Sequence, residues 1–132
     1  MSEKQNTPPT ILLIEEDDET RPLLRHNLKS QGYRPIVALS EEDALERIDG
    51  RHDDPDLILI NQFDRSIEEV LNMGRRIRQE RGLLSYTPIV VIAERYGEDM
   101  EGKDVQVGES EYVTYPEDGQ QLMNLLQRLC PV

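Results

Sequence analysis

The acidic run Glu15-Glu16-Asp17-Asp18-Glu19 follows directly on Thr10-Ile11-Leu12-Leu13-Ile14. Carboxylates placed there can do two things. They can supply oxygen ligands to a divalent ion, or they can put favourable negative charge at the N-terminus of the next helix. Both readings stay open on the sequence. A second polar residue ends an apolar run at Pro55-Asp56-Leu57-Ile58-Leu59-Ile60-Asn61, where an amide is a weaker ligand than a carboxylate. Asp64 lies three residues further on. His26 and His52 are far apart with no ligand-like neighbours and read as plain surface or helix positions. Cys130 cannot form an internal disulfide and carries no catalytic signal. No Gly-rich or Ser/Thr-rich phosphate loop follows the first apolar run; the acids there would repel a phosphate.

Composition narrows the classes. At 132 residues the chain fits one domain, long enough to bury a core. Twenty-seven acids against fifteen Lys plus Arg give a formal net charge of −12, which repels a phosphate backbone and argues against nucleic acid as a direct partner. The single cysteine implies a reducing, cytoplasmic setting. No signal peptide is visible, and the longest apolar runs are far below a membrane span.

The elements that must position these residues alternate strand and helix. Met1 to Pro9 is a polar, flexible tail, and 10–132 reads as one domain. Thr10 to Ile14 is a buried strand. Leu23, Leu24, Asn27 and Leu28 follow at helical spacing, with Asp17 or Asp18 as N-cap and Pro22 tolerable in the first turn. Tyr33 to Leu39 is a second strand. Ser40-Glu41-Glu42-Asp43 opens a helix through Ala44, Leu45 and Ile48 to Gly50. Leu57 to Ile60, apolar on both alternating faces, reads as a strand inside a parallel sheet, and it delivers Asn61 to the edge where such folds bind ligands. A helix from about Ser66 to Glu80 turns Ile67, Val70, Leu71, Met73, Gly74 and Ile77 inward, with Arg75, Arg76, Arg78 and Arg81 as a solvated face. Thr87 to Ala93 and Tyr112 to Pro116 are further strands, and Leu122 to Leu129 a last helix. Glu94 to Glu111, interrupted by Gly97, Gly102 and Gly108, is the weakest stretch, and any helix in it should be short or frayed.

Five strands alternating with helices imply a parallel sheet covered on both sides. The chain resembles a receiver domain of two-component response regulators over nearly its whole length after residue 9. The stretches that carry the likeness are Ile11-Leu12-Leu13-Ile14-Glu15-Glu16-Asp17, Pro55 to Ile60, Thr87-Pro88-Ile89-Val90-Val91-Ile92, and Gly108 through Tyr112-Val113-Thr114-Tyr115-Pro116. The resemblance implies an α/β, three-layer α/β/α sandwich, flavodoxin-like (βα)5, with parallel sheet order 2-1-3-4-5.

It also implies a phosphoryl-accepting site made of an aspartate nucleophile, acids holding a divalent ion, a hydroxyl and a lysine. Carried over by position, the acceptor is Asn61, the acidic pair Glu15 and Glu16, the hydroxyl position Ala93 and the lysine position Tyr115, with Tyr112 as the aromatic that the family uses as a switch. An amide has no anionic oxygen to attack phosphorus. Ala93 has no hydroxyl, and a phenol with a pKa of about 10 brings no cation near neutral pH. Loss of the acid together with the cation leaves the formal charge of the site as the family has it.

The expectation is therefore a pseudo-receiver with no catalytic residues, no enzyme activity, no cofactor and at most weak Mg²⁺ at Glu15 and Glu16. Its function would be a phosphorylation-independent protein–protein interaction module in two-component signalling. The expected partner is a histidine kinase, an output protein or a second copy, bound through the 94–129 face, with neither nucleic acid nor membrane involved. Two other classes stay open: a true phosphoryl acceptor using Asp64 or Asp17, and a small-ligand-binding flavodoxin-like domain.

Overall fold

The computed structural model describes residues 7–48 and 54–132. Ten elements follow one another: β1 (Thr10–Ile14), α1 (Thr20–Ser30), β2 (Arg34–Ala38), α2 (Glu41–Arg47), β3 (Leu57–Asn61), α3 (Ile67–Glu80), β4 (Ile89–Ile92), β5 (Lys103–Gln106), β6 (Glu111–Tyr115) and α4 (Gly119–Leu129). One six-stranded sheet runs in the order β2-β1-β3-β4-β6-β5. Its first five members are mutually parallel, and this is the expected 2-1-3-4-5 arrangement with β6 as the fifth parallel strand.

The apolar runs are buried on both faces because helices cover both. Leu12, Ile14, Ile58, Ile60, Ile89, Val91 and Val113 point to one side, where α2 and α3 supply Ala44, Val70, Met73 and Ile77. Ile11, Leu13, Leu57, Leu59 and Val90 point to the other, against Leu28 of α1 and Leu122, Leu125 and Leu126 of α4. Alternation along each strand thus sorts the core into two layers. β1 and β3 lie side by side, with Ile14 beside Ile60, and β3 and β4 end together, with Asn61 beside Ile92.

Local signals act where expected, with some changes of partner. Ser66 and Glu69 form a reciprocal capping box at α3. Ser40 Oγ accepts from Asp43 N at 3.1 Å, while the Asp43 carboxylate reaches back to Leu39 N at 2.9 Å. Asp17 accepts from Thr20 N and Oγ1 at 2.8 and 2.6 Å, so it caps α1 from outside the formal cap position, which is Glu19 and makes no side-chain cap bond. α2 closes at Arg47; Gly50 and His52 lie outside the described residues, as does most of the expected tail. Pro9 is already tied to the sheet, its carbonyl accepting from Arg34 N at 2.8 Å.

Two expectations are corrected. The stretch from Glu94 to Glu111 forms no helix, not even a frayed one. It makes a loop and then β5, an edge strand antiparallel to β6 with Val105 beside Val113. A helix needs an apolar stripe to bury, and this stretch has too few apolar residues to build one. A four-residue strand needs only Val105. Gly102, at φ +89, turns the chain into β5, and its N–H bonds Tyr115 O at 2.7 Å. The output surface expected to carry a fourth family helix therefore carries a hairpin.

The second correction concerns the arginines of α3, which are tethers rather than a solvated face. Arg76 forks onto Glu41 at 2.8 Å twice. Arg81 donates to Leu45 O at 2.9 and 2.6 Å. Arg78 reaches Thr87 O at 2.9 Å and Glu111 at 2.8 Å, and Arg75 stands 3.5 Å from the same carboxylate. The long stems let the guanidinium groups reach over the helix edge to anchors supplied by neighbouring elements, which the spacing along one helix does not reveal.

Candidate functional site

Four parallel strands deliver polar side chains to the same sheet edge. β1 ends at Glu15, β3 at Asn61 and Gln62, β4 at Ala93 and Glu94, and β6 at Tyr115. Asn61, only 7% exposed, is the hub. Its Nδ2 donates to Glu15 Oε1 and Oε2 at 2.8 and 2.9 Å and to Glu94 Oε2 at 2.7 Å. The orientation is decided chemically, since turning the amide would set its oxygen against two carboxylates. Asn61 Oδ1 is buried and has no hydrogen-bond partner.

Glu15 is fully enclosed. Burial pushes its carboxyl up from the usual range, while the Asn61 amide and Asp17 N–H hold it down and the Glu94 charge adds to the rise. Glu16 turns the other way and pairs with Arg65 at 2.6 Å. Arg21 closes the loop from below, donating to Glu15 O, Glu16 O and Asp18. Asp17 is held below the ordinary aspartate range by its hydrogen bonds to Thr20.

The opposite rim is tied just as firmly. Gln62 Oε1 accepts from Glu94 N at 2.8 Å and its Nε2 donates to Arg65 O at 2.9 Å. Arg95 donates to Phe63 O and, at 3.0 Å, to Arg65 O, across a turn in which Phe63 takes a left-handed φ of 52. Asp64 is exposed in that turn.

The expected acidic pair is thus divided, with Glu15 at Asn61 and Glu16 at Arg65. Ala93 is buried among the α3-side residues, whereas Tyr112 packs on the α4 side. Tyr115 sets its ring edge-on to Tyr96 at 5.4 Å. Cys130 is buried, its thiol pushed up to about 11 by desolvation, and His26 is exposed on α1.

Sequence reasoning missed Glu94, Gln62, Arg65 and Arg95. Glu94 was open to the same inference that found Asn61, because it too follows a buried strand. Arg65 and Arg95 belong to loops, where no periodicity fixes direction.

Magnesium, implied by the family, demands near-octahedral oxygen donors. Glu16 is committed to Arg65, and Asn61 offers the Glu15–Glu94 gap an N–H rather than an oxygen. Among the described residues no three His, Cys, Asp or Glu side chains are grouped to hold an ion. The side chains as arranged do not fit it.

No protein-family model matches the chain. It is 33% identical over 114 residues to the transcriptional regulatory protein AfsQ1 of Streptomyces coelicolor, which covers 86% of this chain and 48% of that protein. It is 27% identical over 115 residues to the phosphate regulon transcriptional regulatory protein PhoB of Rhizobium meliloti, covering 87% and 49%. The chain spans about half the length of these curated relatives. Among solved structures it resembles a response regulator from Thermotoga maritima, with TM-score 0.68, 22% identity and coverage of 96% of this chain and 100% of that one. It also resembles the receiver domain of a sensor histidine kinase from Pseudomonas aeruginosa PAO1, solved with magnesium in its active-site cleft, with TM-score 0.63, 23% identity and coverage of 93% and 98%. Fold and sequence together mark a CheY-like receiver domain of the response-regulator type.

Proposed function

We propose that this receiver domain works in two-component signalling without being phosphorylated, as an interaction module for a protein partner. The observation that carries the reading is the Asn61 side chain, which stands at the family's acceptor position and spends its N–H groups on Glu15 and Glu94. An amide cannot attack phosphorus. Ala93 offers no hydroxyl to a transferred oxygen, and Tyr115 brings no ammonium. Arg65 at Glu16 supplies positive charge from within the chain, where a divalent ion would otherwise be needed. Partner choice rests on the exposed loops around this edge and on the β5–β6 hairpin, which give the face beyond residue 94 a form of its own. The intended setting is cytoplasmic, with a histidine kinase, an output protein or a second copy as partner.

Incubation with acetyl phosphate and Mg²⁺, followed by intact-mass measurement, tests this. The expected mass is unchanged. Stoichiometric labelling, mapped to Asp64 or Asp17, would overturn the reading in favour of an alternative acceptor.

A further inference from the structure

We propose that the cleft between α1, the end of β4 and the start of α4 receives a basic side chain, a lysine or arginine presented by a protein partner. The proposal rests on the reading of the domain as an interaction module and specifies what that module recognises.

The cleft, about 300 Å³, has apolar walls at Leu24, Ile92 and Leu122, carboxylates at Glu94 and Glu117, and Asn61 in its lining. Its acids lack counter-charges: among the described residues no ion pair is recorded to Glu94, Glu117 or Asp118. The arginines nearest in sequence are engaged elsewhere, Arg95 on Phe63 O and Arg65 O, Arg65 on Glu16, and Arg21 on the β1–α1 loop. An acidic rim alone would be a solvated surface. The second observation is Asn61, more than nine-tenths buried, whose Oδ1 has no donor. A buried acceptor without a partner is costly, and the amide cannot turn to relieve it while Glu15 and Glu94 hold its nitrogen.

The missing donor must therefore enter from the cleft. An ammonium or guanidinium group carries several N–H donors and a positive charge, so one group can serve both Asn61 Oδ1 and the carboxylate of Glu94. The methylene stem of such a side chain would lie along Leu24, Ile92 and Leu122. An anion is repelled by the rim, and the apolar walls provide no oxygen shell for a bare divalent ion. Leu23, 65% exposed on the same helix as Leu24, extends the apolar ground on which the partner's flanking residues would rest.

The test is a titration of the whole domain with n-butylammonium and n-butylguanidinium, followed by ¹⁵N–¹H spectra, with 1-pentanol and butyrate as neutral and anionic counterparts. The expected result is saturable shifts confined to the Asn61 side-chain amide and the backbone amides of Leu24, Glu94 and Leu122. In Glu94→Gln, which keeps an oxygen for Asn61, affinity should fall about tenfold or more, as loss of a charge-assisted contact implies. Equal shifts with pentanol, shifts scattered over the acidic surface, or undiminished binding in Glu94→Gln would each overturn the proposal. No phosphodonor enters this assay. A negative result here beside an unlabelled domain sinks the cleft alone, and acetyl-phosphate labelling beside a positive result here sinks only the phosphorylation-independent reading.

Discussion

Asn61 Nδ2 lies 2.7 Å from Glu94 Oε2 and 2.8 Å from Glu15 Oε1, so one neutral amide separates two carboxylates contributed by β1 and by the residue after β4. Removing that separator by Asn61→Asp would set three carboxylates against one another in a largely buried site. At least one would then have a raised folded-state pKa. Stability lost to such a group is greatest above the raised pKa and is recovered as pH falls toward the unfolded value. The variant should lose about 2–4 kcal/mol near neutral pH by urea unfolding, and less near pH 4. Millimolar Mg²⁺ should raise the melting temperature of Asn61→Asp and leave the parent unmoved. A parent domain strongly stabilised by Mg²⁺ would contradict the reading of the donor set.

Glu15 makes a similar test in the parent protein. Its pKa is raised, chiefly by burial, so its contribution to stability is fully present below the unfolded carboxyl pKa and is lost as pH rises through the folded one. Glu15→Gln has no such group. The parent should therefore gain stability relative to Glu15→Gln on acidification from neutral pH, read from paired denaturation curves at several pH values. A difference that does not change with pH, or that runs the opposite way, would show that the Asn61 and Asp17 hydrogen bonds outweigh desolvation.

Glu111 is 7% exposed and holds Arg78 at 2.8 Å; the arginine contacts keep its carboxyl below the usual range against the opposing effect of burial. Arg78→Ala would leave that carboxylate enclosed without its closest counter-charge and should cost on the order of 3 kcal/mol. Gly108→Ala attacks the same contact from the hairpin, because an added Cβ would meet Glu111 Oε1 at 1.9 Å. It should cost about 1–3 kcal/mol. Losses below half these values by chemical denaturation would mean that the hairpin relaxes freely.

Amide exchange should grade across the sheet. β5 is four residues long at an open edge with three of its residues exposed, whereas every residue of β3 is buried. Residues 95–106 should exchange at least about a hundredfold faster than Leu57 to Ile60, as expected of the least stable cooperative unit, and should gain protection when a partner binds this face. Equal protection in the free domain would show that the hairpin opens only with the whole fold.

The sequence by itself determined the parallel core and the identity of the edge residue on β3. Strands buried on both faces must be apolar throughout, and that leaves an unmistakable run from Leu57 to Ile60 with Asn61 at its exit. It likewise determined the loss of the acceptor, hydroxyl and lysine types, since those are matters of residue identity. Only the tertiary structure decided where polar side chains point. Glu15 and Glu16 are neighbours in sequence, yet one is enclosed at Asn61 and the other pairs with Arg65. Glu94 became a site residue because β3 and β4 end in register, a relation between segments that no local pattern encodes. The stretch after β4 became an edge strand instead of a helix because β6 offered it a ladder to join, and a segment with one apolar anchor takes its structure from its neighbour.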